Sequence, residues 1–196
     1  MQKILFVAVL ALMLSGITCA AQTPAKADDI LKQAEQTAAD QNKPIFLIFG
    51  ASWCEACHQM DAFFANSEVA QIFAKYFVIA KLTFGEAAAG HAALDNPGSD
   101  DLITKYGGIP AGGGVVGLPF IAVLDPGGKL IASSKTHGKA PVNAANGEFP
   151  TQPEEVRWFL GMVKKGAPAM TAEETHKLQD ALRAATVVAP SASGSQ

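Results

Sequence analysis

The sequence predicts an α/β domain in which a mixed β-sheet is flanked by helices, with an extra helix at its C-terminal end. Three observations carry that expectation. Residues 45–49 are an unbroken apolar run, rich in β-branched and aromatic side chains and bounded by Pro44 and Gly50, which reads as a strand covered on both faces. A helical pattern then leads to a second strand-like stretch over residues 77–84, the order of a strand–helix–strand unit with parallel pairing. Finally, residues 119–124, a Pro-Gly turn over 125–128 and residues 129–134 read as a hairpin that adds two antiparallel strands.

The elements follow in chain order. Lys3 precedes an apolar run over residues 4–14 and the small residues Ser15, Gly16, Thr18 and Ala20, the form of a secretory signal peptide cleaved after Ala20. That run is too short to cross, as a helix, a hydrocarbon layer roughly 30 Å thick. Lipid anchoring through Cys19 is the weaker reading, because Gly16, Ile17 and Thr18 fit poorly the pattern expected before a lipidated cysteine. A leader over residues 21–27 gives way to a helix capped by Asp28 or Asp29, with Ile30, Leu31, Ala34 and Ala38 on one face.

Residues 55–65 carry Cys57, Met60, Phe63 and Phe64 at helical spacing, and Ser67 is the expected cap of a second helix bearing Val69, Ile72, Phe73 and Tyr76. Residues 85–98, rich in Ala, Gly and Asn, read as a surface insertion, and residues 100–106 as a short helix ended by Gly107 and Gly108. Six glycines between 107 and 117 predict a mobile loop, since glycine loses the most backbone entropy on ordering. Residues 153–164 place Val156, Phe159, Leu160 and Val163 on one helical face. A last helix over 171–185 opens with Thr171 and Glu174 as a capping box, ahead of a tail, 190–196, expected to be disordered.

Length and composition bound the function. A chain of 196 residues, 49% hydrophobic and 17% charged, suits one globular domain with a real core. A formal net charge of −3 without a basic block excludes the surface that nucleic acid demands. Cleavage after Ala20 removes Cys19 and leaves Cys54 and Cys57 as a pair in an oxidising compartment. A bridge across two intervening residues closes a loop too small to constrain the unfolded chain much, so a redox role explains the pair better than stapling does.

The pair sits where a strand becomes a helix. A cysteine at a helix N-terminus faces unpaired backbone N–H groups and the positive end of the dipole, which favour the thiolate. Cys54 holds that position and is the expected nucleophile; Cys57, three residues on along the same face, is the expected resolving thiol. Glu55 opposes the Cys54 thiolate by its charge, whereas a protonated His58 on the same face supports it.

Trp53-Cys54-Glu55-Ala56-Cys57 at a strand-to-helix junction, Lys81 in the next strand and Gly117-Leu118-Pro119 at the hairpin together resemble the thioredoxin-like family. The resemblance covers roughly residues 28–165, so that residues 166–189 become a C-terminal helical extension. It implies a redox-active Cys54–Cys57 disulfide that needs no organic cofactor or metal. It implies too that Pro119 is a cis proline facing the cysteines and that Leu118 presents its backbone to substrate. Trp53, Glu55, His58 and Lys81 are the expected tuning or substrate-contacting neighbours. One departure stands out: the family's strong reductants place a buried carboxylate six residues before the first cysteine, and Ile48 stands there. The expected activity is exchange of disulfides with protein or small-molecule dithiols by a monomer in the periplasm or outside the cell, with a membrane or periplasmic redox partner.

Three rivals use the same residues. Cys54, Cys57 and His58 also spell Cys-x-x-Cys-His, the attachment motif of c-type haem. The same three side chains form an incomplete soft-metal ligand set. A redox-inactive binding module is the last, because a fold of this kind does not dictate activity.

Overall fold

A computed structural model describes residues 23–109, 113, 116–135 and 149–188, with side chains up to residue 185. The predicted signal peptide, five residues of the glycine-rich loop and the C-terminal tail lie outside the described residues.

The chain runs α1 (Ala27–Gln41), β1 (Ile45–Gly50), α2 (Glu55–Ala65), α3 (Ser67–Tyr76), β2 (Val78–Thr83), two 3-10 turns (Glu86–Ala89 and Ala92–Leu94), α4 (Ser99–Lys105), β3 (Phe120–Leu124), β4 (Leu130–Ser133), α5 (Pro153–Gly166) and α6 (Ala172–Val188). The strands form one mixed sheet in the order β2-β1-β3-β4. β1 and β2 are parallel with Ile45 opposite Val78 and Gly50 opposite Thr83, while β3 runs antiparallel to both β1 and β4.

Side chains that alternate along the strands feed two separate cores, as a period of two requires. Phe46 and Ile48 of β1, with Ile121 and Val123 of β3, point into the core built with α2, α3, α5 and α6. Ile45, Leu47 and Phe49, with Phe120, Ala122 and Leu124, point into the core built with α1 and α4. Phe46 is the hub of the first: its ring meets Phe73 at 5.0 Å and Phe77 at 5.6 Å between centroids, both edge-on, the geometry that aromatic quadrupoles favour. A Cβ at Gly166 would stand 2.6 Å from Val123 Cγ1, so the end of α5 comes as close to the sheet as it does only because that residue has no side chain.

Two helix starts differ from expectation. Asp28 and Asp29 do not cap α1 but lie within its first turn, where carboxylates still favour the helix dipole. The N-cap position is Lys26, which makes no side-chain cap, and the Ala27 N–H donates instead to the Pro97 carbonyl at 2.9 Å. For α3 the cap is Asn66 rather than Ser67: its side-chain oxygen accepts the N–H groups of Glu68 and Val69, which requires the residue one position earlier.

The segment 85–98 is more than a surface insertion. It holds both 3-10 turns, and Glu86 and Asn96 are buried within it. Asn96 accepts the Thr83 N–H at 2.6 Å and donates to the Ala25 carbonyl at 2.8 Å, tying the end of β2 to the entry of α1. The last helix does open on the Thr171–Glu174 capping box, and it sends Leu178, Leu182 and Ala185 into the first core against α2, α3 and α5.

Candidate functional site

β1 delivers its last residue, Gly50, against the side chain of Cys57; a Cβ at Gly50 would lie 3.3 Å from Cys57 Sγ. The chain then turns, the Cys54 N–H donating to the Ala51 carbonyl, and α2 begins. Cys54 is the N-cap residue in extended conformation, and its sulfur accepts the Cys57 N–H at 3.1 Å. One of the orphan donors of a helix start is thus spent on the sulfur, the local arrangement that favours negative charge there. The two sulfurs are joined in a disulfide across a Cα–Cα distance of 5.2 Å.

Both cysteines are buried, at 5% and 8% exposure, so the helix start is less open than the sequence implies. Trp53 stands beside them half exposed, its indole N–H donating to the Gly85 carbonyl at 2.9 Å. The ring is therefore fastened at its edge to the segment after β2. Leu118 and Pro119 are buried and joined by a cis peptide, and Leu118 packs near Gly85.

Beneath the pair lies a cavity of about 250 Å³ whose walls include Ile48, Cys57, His58, Asp61, Lys81, Glu86 and Pro119. Ile48 makes the β1 contribution to this wall apolar. The acids come from elsewhere, Asp61 from α2 and Glu86 from the first 3-10 turn.

The remaining expected tuning residues sort as follows. Glu55 is exposed in the first turn of α2, where it faces solvent. His58 lies 2.8 Å through Nε2 from the Ser52 carbonyl; a carbonyl only accepts, so Nε2 carries the proton and the ring is anchored to the loop before Cys54. Lys81, on the edge strand β2, pairs with Asp61 and stands 5.8 Å from the centre of the Phe64 ring. Its side chain stays half exposed while its ammonium is paired.

Three participants escape the sequence reading: Ser52, Asp61 and Glu86. Glu86 is 1% exposed, and its carboxylate accepts both the backbone N–H of Ser52, at 2.5 Å, and the Ser52 hydroxyl, at 2.8 Å. Asp61 had a legible signal, since it follows Cys57 by four residues and so shares its helical face. Glu86 had none: one acid in an Ala- and Gly-rich stretch, 34 residues from the side chain it holds.

The family comparison agrees with this architecture. A family model described as thioredoxin-like matches residues 27–126, while no curated protein matches the chain. Among solved structures, a disulphide isomerase from Xylella fastidiosa Temecula1 aligns at 20% identity and a TM-score of 0.46, over 85% of this chain and 99% of that one. A DsbH oxidoreductase aligns at 20% identity and 0.41, over 79% and 90%. A thioredoxin from Thermus thermophilus aligns at 16% identity and 0.41, over 76% and 95%.

Proposed function

The chain belongs to the thioredoxin-like family, and from that premise we propose that it is an exported thiol-disulfide oxidoreductase in which Cys54 attacks and Cys57 resolves. The observation that carries the reading is the Cys54 sulfur at the N-cap of α2, bonded to Cys57 and accepting the Cys57 N–H. The same N–H that meets the sulfur in the disulfide remains in place to stabilise the Cys54 thiolate once the bond opens.

Acting as a reductant, the Cys54 thiolate attacks one sulfur of a partner disulfide. A bond forms between Cys54 and that sulfur, and the other partner sulfur leaves as a thiolate that takes a proton from solvent. Cys57, deprotonated, then attacks the Cys54 sulfur, closing the Cys54–Cys57 bond and expelling the second partner thiol. Two electrons pass from the cysteine pair to the partner. As an oxidant the protein runs the same steps backwards, beginning from the closed bridge.

Pro119 at the cavity wall, with Leu118 joined to it by the cis peptide, suits backbone contact with a protein substrate, and the reaction requires no organic cofactor. Export rests on the apolar run over residues 4–14 with the small residues after it, and the partners are protein or small-molecule dithiols and disulfides outside the cytoplasm. None of the described helices is long and apolar enough to cross a membrane.

The test uses two variants. Cys54→Ser abolishes reduction of insulin or of a model disulfide, whereas Cys57→Ser accumulates covalent complexes through Cys54. Unchanged turnover in either variant refutes the assigned roles, and a Soret band in protein made alongside haem-attachment machinery would transfer the motif to haem.

A further inference from the structure

Glu86 is an acid without an evident place in the exchange reaction, yet it is among the most deeply buried side chains of the described residues. Burying a carboxylate is costly unless its oxygens are satisfied, and here the donors come from a single residue, Ser52, two positions before Cys54. The hold continues outward from there. The Ser52 carbonyl receives His58 Nε2–H, and the Trp53 indole donates to Gly85, immediately before Glu86. The turn that leads into the nucleophile is thus gripped on both sides by residues 85 and 86.

Glu86 also shares the cavity wall with Cys57. The other charged or titratable groups at that cavity are His58 and Asp61 from α2 and Lys81 from β2, and Asp95 faces Glu86 from behind, accepting its backbone N–H. Lys81 is already paired with Asp61, so its charge is largely matched locally. His58 points its proton at Ser52. The Glu86 carboxylate has only neutral partners in its hydrogen bonds and, among the described residues, no ion pair, at a cavity wall it shares with Cys57.

We propose that Glu86 is the acid that sets the reactivity of the cysteine pair in this protein: held by Ser52, it opposes thiolate formation across the shared cavity and keeps the reduced pair in its thiol form. Its role differs from that of an acid in the strand before the motif, where this chain has Ile48, because it arrives from the segment after β2 and grips the turn it influences. Touching no sulfur, it acts through charge and through Ser52. The inference rests on the thiol-exchange reading only in taking Cys54 as the attacking sulfur.

The experiment measures iodoacetamide alkylation of Cys54 against pH in the reduced full chain, for the wild type and for Glu86→Gln and Glu86→Asp. Glutamine keeps both contacts with Ser52, its carbonyl accepting the N–H and its amide donating to the hydroxyl, while removing the charge. Aspartate keeps the charge but withdraws it from Ser52. The expected result is an alkylation midpoint lower by about one pH unit in the glutamine variant, a tenfold rise in thiolate fraction below the midpoint, since a like charge disfavours the ionised form. The aspartate variant stays near the wild-type midpoint. A glutamine curve that superimposes on the wild type overturns the proposal, as does an aspartate shift as large as the glutamine one, which would assign the effect to the grip alone. Should the glutamine protein fail to fold, Glu86→Met removes the charge in its place, and a methionine curve that superimposes on the wild type likewise overturns the proposal. Turnover of a model disulfide by the wild type checks the exchange reading separately, so an inactive wild type with a shifted glutamine midpoint sinks that reading and leaves the coupling standing.

Discussion

Two segments outside the strand–helix–strand plan are fastened to it by opposite means. Segment 85–98 is held by polar groups: the buried side chains of Glu86 on Ser52 and of Asn96 on Thr83 and Ala25, and the backbone carbonyl of Pro97 on the Ala27 N–H. Helix α6 is held by apolar ones, Leu178, Leu182 and Ala185 inserted among Met60, Phe63, Val69, Ile72 and Phe73, with Glu174 binding Tyr76 and Lys75 at its start. The polar segment lies beside the cysteines and the apolar helix behind them. Directional bonds place individual atoms, which a reactive turn needs. Apolar packing resists displacement while tolerating exchange of one hydrophobic shape for another.

Substitution at the centre of each attachment exposes this difference, and the largest effect falls on α6. Leu178 is fully buried, and Leu178→Ala removes its packing and leaves a cavity, lowering the unfolding free energy by about 3 kcal/mol in urea titration. Leu178→Met, which nearly conserves volume, costs about 1 kcal/mol or less. A methionine as damaging as the alanine would show that α6 is held by something other than its apolar face.

Asn96 should behave the other way. Asn96→Ala orphans the Thr83 N–H and the Ala25 carbonyl, at a cost of about 2 kcal/mol. Asn96→Leu, close in volume, is no milder, because shape without donors and acceptors leaves the same groups unpaired. Both Asn96 variants also slow disulfide turnover, since the segment they loosen carries Glu86 and Gly85, the partners of Ser52 and Trp53. A leucine variant of wild-type stability and turnover would contradict the polar-staple account.

That contrast also explains what the sequence reveals. The sheet, the helix α2 that begins at Cys54, and even the capping box of α6 are legible because each is written in local periodicity: a run of five apolar residues, cysteines three apart, an acid three residues after a threonine. Leu178 and Leu182 announce a buried face by their spacing alone. Glu86 and Asn96 announce nothing, because a polar staple is defined by the distant backbone atom it meets, and neither Ser52 nor Ala25 is near it in sequence. The aspartates in the first turn of α1 mislead for the same reason. Their N-terminal position is favourable by dipole, but the N–H group in need of a partner finds one 70 residues away in Pro97. The grip on Ser52 and Trp53 therefore emerges only from the fold, although the sulfurs it serves are plain in the sequence.

The smallest expected effect concerns the polar part of the α6 attachment. Glu174 is held down to about 2 from an ordinary 4.5, first by the Lys75 ammonium 2.7 Å away, then by the Thr171 N–H and the Tyr76 hydroxyl, and the same contact raises Lys75. A carboxyl whose folded value lies below its unfolded one contributes stability above the unfolded value and loses it as pH falls through the folded one, so this contribution is present above pH 4.5 and fades toward pH 2. The two shifts describe one contact and do not add. Glu174→Gln should therefore flatten the decline of melting temperature between pH 4.5 and 2 relative to the wild type, with the gap between the two curves narrowing as pH falls. High salt should shrink the same gap at neutral pH, because the Lys75 end of the ion pair is open to solvent. Leu178→Ala, by contrast, should lower the wild-type curve by a similar amount at every pH in that range, since an apolar contact carries no proton. If Leu178→Ala steepened the acid limb, or Glu174→Gln left it parallel to the wild type, the division of α6 into a proton-sensitive start and a proton-blind body would fail.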